Sequence, residues 1–213
     1  MWIKKTMIEN GIVEIIEGEM NNRIWVRVND VYVCGVYTPI VKTSQERKRK
    51  NDTGERKAAK FWREITDEIM RYRSKGKNVI LMGDMNARLG EVVGDTMTND
   101  NGRKLKEVSE MYDMMILNKE WGYKKWTRIE KEEKSIIDYV VINREMRERV
   151  VEMKVVERDL GSDHMAIEVQ FNSHMIKKKK KRRLTQEERK KYGTYRKEKK
   201  KNKHGRDIGK DWK

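Results

Sequence analysis

Short apolar runs separated by turn residues dominate the start of the chain. Rough alternation in GIVEIIE (11–17) and RIWVRV (23–28), divided by the turn-prone GEMNN, predicts two strands. VYVCGVY (31–37) is more continuously apolar, as expected for a strand that is covered on both faces. Pro39, the only proline, follows two residues after this run and ends the third predicted strand.

A helical period follows these strands. Residues 54–73 carry apolar side chains on one predicted helix face, which are Ala58, Phe61, Trp62, Ile65, Ile69 and Met70. This helix leads through a short joint into the apolar run NVILMG (78–83). A strand, a helix and a strand with short joints form a crossover unit, so we predict an α/β fold with a partly parallel sheet.

The second half continues the α/β pattern. NDNGR (99–103) offers side chains that can cap a helix, and the next helix has Leu105, Val108 and either Met111 or Tyr112 on one face. The remaining predicted strands are MMILN (114–118), WGYKKWTR (121–128), SIIDYVVIN (135–143) and MAIEVQF (165–171). No apolar periodicity follows Phe171, so we predict a folded domain over residues 1–173 and a basic, disordered tail over 174–213.

Charge separates these two regions. Residues 177–213 contain 19 Lys or Arg and 5 Asp or Glu, a net charge of +14, whereas the rest of the chain carries only +2. Such a block suits polyanions, although a solvated end without a specific ligand is an alternative. The predicted nucleic-acid-binding residues are Lys177, Lys178, Lys179, Lys180, Lys181, Arg182 and Arg183.

The cysteine count and the lengths of the apolar runs bear on the cellular compartment. A single cysteine, Cys34, excludes an internal disulfide and fits a reducing compartment, where it is expected to be a small buried apolar group. No run approaches the roughly 18 apolar residues of a membrane span, and the start of the chain lacks a signal-peptide core. We therefore expect an intracellular protein, nuclear or cytoplasmic, that is not secreted and has no membrane partner.

Polar residues at strand ends are the candidate chemistry. Asp84 and Asn86 follow NVILMG, Asp138 interrupts an aliphatic strand, and the triplet SDH (162–164) precedes the last strand. Each has a structural alternative, because Gly-Asp-x-Asn makes a good turn, a lone Asp can cap a strand end, and SDH can be a capped loop. Together they supply carboxylates, an amide and an imidazole, the groups needed for metal-assisted attack of water on a phosphate.

Six ordered blocks carry a family resemblance. They are VYVCGVYTP, NVILMGDMNARLG, NDNGRKLKEVSEMYDMMILN, KKWTR, SIIDYVVIN and LGSDHMAIEV, and they extend from about residue 31 to 171. The chain resembles the endonuclease/exonuclease/phosphatase superfamily, in particular the apurinic-endonuclease-like domain of non-LTR retrotransposon proteins. This resemblance implies a four-layer α/β sandwich of two packed mixed sheets flanked by helices, here partial.

The resemblance implies roles for six residues. Tyr37 matches a tyrosine that helps hold the scissile phosphate, and Asp84 matches an aspartate that activates the attacking water or protonates the leaving oxygen. Asn86 matches an asparagine that contacts phosphate and stabilises charge in the transition state. His164 matches a histidine that binds phosphate or acts as general base, with Asp138 as its orienting partner. Asp163 matches a carboxylate at or near Mg²⁺.

The sequence also departs from the family pattern. The resemblance implies that the first crossover unit, which carries the main metal-binding glutamate, is missing ahead of residue 31, and Glu14, Glu17 and Glu19 do not occupy its place. Met85 replaces a family phenylalanine, and Ile40 an asparagine. We therefore expect weak or absent Mg²⁺ binding and low activity.

Three functions follow from these observations. The first is a retroelement-derived, metal-dependent DNA endonuclease that nicks its target. The second is a non-catalytic remnant that binds DNA, and RNA as a second partner, through the basic tail. The third, which the tail and NDNGR disfavour, is a phosphatase of the same superfamily.

Overall fold

The computed structural model describes residues 3–16, 22–41, 53–156 and 161–172. Residues 3–12 belong to one compact unit and the described residues from 13 onwards to another. The first unit contains the short helix α1 (Lys5–Glu9), which has no buried residue. The predicted boundary at residue 173 and the basic run 177–183 lie outside the described residues. Within the described ranges, no helix is long and apolar enough to cross a membrane.

In the part of the second unit that the structure describes there are two long helices and ten strands. The helices are α2 (Thr53–Arg73) and α3 (Asp100–Met111). The strands are β1 (Val13–Ile16), β2 (Arg23–Val28), β3 (Val31–Tyr37), β4 (Asn78–Asp84), β5 (Met114–Ile116), β6 (Arg128–Glu130), β7 (Glu133–Ser135), β8 (Asp138–Asn143), β9 (Val150–Val156) and β10 (Ala166–Phe171). The short 3-10 turns are Gly90–Val93, Leu117–Lys119 and Arg144–Arg149.

A mixed six-stranded sheet organises this unit. Its order is β1-β2-β3-β4-β8-β5, with β9 and β10 forming a separate antiparallel pair and β6 and β7 another. β3 and β4 are parallel, and α2 connects them, as the predicted crossover requires. The predicted α/β fold, with a mixed sheet flanked by helices, is confirmed.

The sheet is buried on both faces, and β4 illustrates why. Val79 and Leu81 pack in the cluster that contains the α2 and α3 side chains. Ile80 and Met82, which alternate with them, pack in a second cluster with residues of β9 and β10. Because successive strand residues point to opposite faces, a strand between two apolar layers must be apolar at every position. This explains the unbroken run in NVILMG.

Three details of the predicted elements need correction. Met70 was predicted on the buried face of α2, but its side chain is 51% exposed. WGYKKWTR was predicted as a strand, but only its last residue, Arg128, belongs to one, because residues 121–125 form turns closed by bonds from Gly122 and Lys125. No strand was predicted at β9, because the charged residues Glu152 and Lys154 interrupt its apolar residues.

Gly83 lets β4 deliver Asp84 without a clash. Its φ of +137° is a conformation that L side chains rarely adopt, and an added Cβ would lie 2.3 Å from the Val36 carbonyl oxygen. We expect Gly83→Ala to lower the free energy of unfolding by about 3 kcal/mol in a urea titration. Gly76→Ala is the control, because Gly76 has a positive φ but open space around it. Equal losses in the two variants would contradict the steric argument.

Candidate active site

Three polar side chains meet at one edge of the six-stranded sheet. Tyr37 is the register partner of Asp84 in the parallel pair, and Asp84 is the register partner of Asp138 in the antiparallel pair. Residues opposite each other on neighbouring strands point to the same face, with Cβ atoms about 5 Å apart. Strand parity puts all three on the face that carries β9 and β10, since Asp84 follows Ile80 and Met82 by two-residue steps.

The loop before β10 brings His164 to this edge. An antiparallel bridge joins His164 to Arg128, and the Met165 N–H donates to the Thr127 carbonyl at 2.8 Å. His164 Nδ1 then lies 3.0 Å from the nearer carboxylate oxygen of Asp138. Both side chains are largely shielded from solvent. The tertiary fold therefore brings together Asp84, Asp138 and His164, which are separated in sequence.

The Asp138 carboxyl group is buried between two partners. Burial raises its pKa to about 6 from 3.8, while the charge of His164 and the Thr127 hydroxyl oppose that rise and the nearby Asp84 adds to it. The Nδ1 contact leaves Nε2 of His164 as the nitrogen available to substrate. A carboxylate in this position holds the ring orientation and stabilises the imidazolium form.

Asp84 and Asn86 form a closed turn after β4. The Asn86 N–H donates to Asp84 Oδ1 at 2.9 Å, and Asn86 Nδ2 donates to Asp84 Oδ2 at 3.3 Å. Nδ2 also donates to the Thr38 carbonyl at 2.8 Å. Burial raises the pKa of Asp84, against the lowering effect of the Asn86 N–H groups and of the charges on His164 and Arg128.

The hydrogen bonds of the Asn86 side chain limit which of its atoms can contact a substrate. Both N–H bonds of its amide are directed at acceptors of the protein, so the atom left to face a substrate is Oδ1. An acceptor suits the attacking water better than a phosphate oxygen. The phosphate-stabilising role implied by the resemblance stays a prediction, and it requires this amide to change partners.

Thr127 holds the backbone at Asp138 through hydrogen bonds to its side chain. Its buried hydroxyl oxygen accepts the N–H groups of Ile137 and Asp138, each at 3.0 Å. Thr38 provides a contrast, because its hydroxyl oxygen is buried without a hydrogen-bond partner in the described part of the chain.

We expect Thr127→Val to lower the free energy of unfolding by about 2 kcal/mol, since two buried N–H groups lose their acceptor. The isosteric change Thr38→Val removes an unsatisfied hydroxyl and is expected to be neutral or stabilising by about 1 kcal/mol. Urea titrations of both variants measure the difference. A loss at Thr38 as large as that at Thr127 would refute the proposed hydrogen-bonding difference.

Asp163, the predicted metal ligand, is held in an ion pair. Its Oδ2 lies 2.7 Å from Nε of Arg128, and this hydrogen bond lowers the pKa of Asp163. Nη2 of the same arginine also contacts Glu130. Across the described ranges, no group of three His, Cys, Asp or Glu side chains is arranged to hold a metal ion. These residues do not fit a complete Mg²⁺ site, because one ion-paired carboxylate is a poor ligand set for a cation that needs near-octahedral oxygen coordination.

The two remaining predictions concern Tyr37 and the basic run. Tyr37 stands at the site edge with 52% of its surface exposed, and its role in holding the scissile phosphate stays a prediction. Residues 177–183 lie outside the described residues, and their role in binding nucleic acid stays a prediction.

Sequence patterns alone missed several supporting residues. Arg128 pairs with Asp163, and the buried Asn118 joins the Asp138 carbonyl to the Val140 N–H through its side chain. For Asn118 the usable signal was a polar side chain at the end of the apolar block MMILN, whereas Arg128 ends the mostly polar block KKWTR and had no such signal. That signal marks burial of a polar group but does not identify its partner.

Comparison with known proteins identifies the family. The sequence profile described as endonuclease-reverse transcriptase matches residues 33–168, a range that covers more than half of the chain and includes all six residues from Tyr37 to His164 that the resemblance singled out. The chain belongs to the endonuclease-reverse transcriptase family. This endonuclease-reverse transcriptase relationship confirms the predicted resemblance to the endonuclease/exonuclease/phosphatase superfamily. Among curated proteins, none matches the sequence significantly.

A solved structure shares the fold of this endonuclease-reverse transcriptase domain. It is the 3′ phosphatase NExo from Neisseria bound to product DNA hairpin, with a TM-score of 0.55 and 12% sequence identity. The alignment covers 75% of this chain and 70% of that chain. At this identity the similarity establishes the α/β sandwich fold alone.

Proposed function

We propose that this chain hydrolyses phosphodiester bonds in DNA as the target-nicking domain of a retroelement. The observation that carries the proposal is the His164–Asp138 pair beside the half-buried Asp84 at one sheet edge. A paired imidazole and a second carboxylate supply the acid and the base that hydrolysis needs. The family to which the chain belongs supports a retroelement origin, and the DNA hairpin bound by NExo supports DNA as substrate.

The proposed reaction uses two proton transfers, each made by a different group. Asp84, ionised, accepts a proton from the attacking water, whose oxygen forms a bond to phosphorus. The bond from phosphorus to the 3′ oxygen breaks, and the protonated Nε2 of His164 donates its proton to that oxygen. Asp138 stabilises the imidazolium before transfer. The products are a 5′ phosphate and a 3′ hydroxyl, the end that primes reverse transcription.

A plasmid-nicking assay tests the proposal. Supercoiled plasmid is incubated with the full chain in Mg²⁺ and, separately, in EDTA. We expect conversion to open circles that can be extended by a polymerase, because a 3′ hydroxyl is produced. Nicks that a polymerase cannot extend, or no nicks above a buffer control in either arm, would overturn it.

A second function follows from the incomplete metal ligand set, namely binding of nucleic acid without cleavage. The seven basic residues at 177–183 carry the charge for phosphate contacts, and the same run supports a nuclear location. RNA is the second expected partner. Mg²⁺ binding under this function is weak, as the ligand set implies.

Salt dependence separates the second function from the first. A full-length variant with residues 177–183 changed to glutamine is compared with the unchanged chain in DNA binding from 50 to 200 mM salt. We expect the slope of log K against log salt to fall by about 6 if all seven residues contact phosphates of duplex DNA. An unchanged slope would exclude the basic run as the binding element.

A further inference from the structure

Two side-chain amides converge on the backbone of Asn86. Asn99 Nδ2 donates to the Asn86 carbonyl oxygen at 2.9 Å, and Asn101 Nδ2 donates to the same oxygen at 3.2 Å. A carbonyl oxygen has two lone pairs, so these two bonds use its full accepting capacity. Both donors come from the NDNGR segment that opens α3.

The conformation they hold is an unusual one. Asn86 has a φ of +44°, in the left-handed region that residues other than Gly, Asn and Asp seldom adopt. This backbone turns its N–H towards Asp84 Oδ1 and its side chain towards the Thr38 carbonyl. Release of the carbonyl would free the peptide to relax and would carry the amide away from Asp84.

Each donor is itself fixed at its other end. Asn99 Oδ1 caps α3 by accepting the Gly102 N–H at 2.8 Å and also accepts the Arg88 N–H at 2.9 Å. Asn101 Oδ1 accepts the Trp62 Nε1–H of α2 at 3.0 Å, and only 1% of Asn101 is exposed. The two amides therefore have defined orientations, because a 180° rotation of either one would place donor against donor and acceptor against acceptor.

The start of α3 is pressed against the loop that it supports. A Cβ on Gly102 would lie 2.0 Å from the Arg88 carbonyl oxygen, so only glycine permits this approach. Asn101 also donates to the Pro39 carbonyl at 3.0 Å, which ties the segment after β3 to the same point. One short motif thus joins α2, the end of β3 and the loop after β4.

We propose that Asn99 and Asn101 are positioning residues for Asn86, holding its peptide in the left-handed conformation that directs its N–H groups at Asp84. Neither residue touches the reacting atoms. The inference rests on the proposed function in taking Asp84 and Asn86 as the reacting pair. The simpler interpretation is that Asn99 is only a helix cap and Asn101 only a partner for Trp62.

Titration of Asp84 tests this role without requiring turnover. The Asn86 N–H groups lower the pKa of Asp84, so their displacement should raise it. The carboxyl resonance of Asp84, assigned with Asp84→Asn, is followed by carbon NMR against pH in Asn99→Ser and Asn101→Ser. Asn99→Ser retains a capping oxygen and adds no charge, so α3 should persist. We expect the Asp84 midpoint to move upward in both variants, and kcat for nicking to fall about 10-fold.

Asn143→Ser is the matched control. Asn143 is also a buried asparagine, and it accepts the Val79 N–H at 2.8 Å at the opposite end of the sheet. Its loss should lower stability without moving the Asp84 midpoint. An unmoved midpoint in both test variants, or an equal shift in the control, overturns the positioning role. If Asn101→Ser fails to fold, Asn99→Ser decides alone. Shifted midpoints without nicking by the unchanged chain leave the positioning role intact and refute the proposed function instead.

Discussion

Asp84→Asn is expected to lower kcat for plasmid nicking by about 10²–10⁴-fold. The substitution removes the carboxylate that accepts the proton of the attacking water. It preserves the shape of the side chain and one acceptor for the Asn86 N–H, so the turn after β4 should persist. Burial already raises the pKa of Asp84. A neutral amide at this half-buried position is therefore tolerated, and the free energy of unfolding should change little.

Initial rates of open-circle formation measure this effect, and urea titration checks the fold. Asp113→Asn is the control, since Asp113 is an exposed carboxylate that pairs with Arg144 at 2.7 Å. The control should nick at the unchanged rate. Nicking by Asp84→Asn within a few-fold of the unchanged chain would remove Asp84 from the reaction.

Asp138→Asn is expected to separate activity from stability. Asparagine cannot stabilise the His164 imidazolium, so nicking should fall by about 10²–10⁴-fold. The free energy of unfolding should not fall together with the activity, because the ionised carboxylate of Asp138 disfavours folding. The folded-state pKa of Asp138 is about 6, above its usual 3.8, so its protonated form favours folding. That contribution is complete below pH about 4 and is lost as pH rises through 6.

The unchanged chain should therefore lose stability between pH 4 and 6, by on the order of 2 kcal/mol, relative to Asp138→Asn. Above pH 6 the variant should be at least as stable, because it has no buried carboxylate to ionise. Urea titrations at pH 4, 5, 6 and 7 give the comparison. A variant that is less stable at every pH would show that the Asp138–His164 contact chiefly supports the fold.

The sequence was sufficient for the strands and helix that have one strong period. β2 and β3 begin and end at the predicted residues, and α2 begins one residue earlier than predicted. The helix is recognisable because one apolar face packs against the sheet, and β3 because an unbroken apolar run marks a strand that packs in both clusters. β9 was missed, since its outward positions carry Glu152 and Lys154 and its apolar positions alternate irregularly.

The candidate site was only partly predictable. Asp84 and Asn86 stand out in the sequence because two polar residues follow a strand that is otherwise apolar. Asp138 stands out because a carboxylate within an aliphatic strand requires a partner. The ion pair between Arg128 and Asp163 had no such signal, as both residues lie among other charged or polar residues in exposed segments.

The sequence by itself determined the α/β class, the family and the residues whose chemistry is unusual for their surroundings, because local periodicity and burial leave marks at short range. Only the tertiary structure decided which of these residues meet. The parallel register of β3 and β4 and the antiparallel register of β4 and β8 bring Tyr37, Asp84 and Asp138 to one edge. The bonds from Asn99 and Asn101 to Asn86 depend on the approach of α3 to a loop 13 to 15 residues away. Long-range contacts of this kind depend on packing geometry, which no local pattern records.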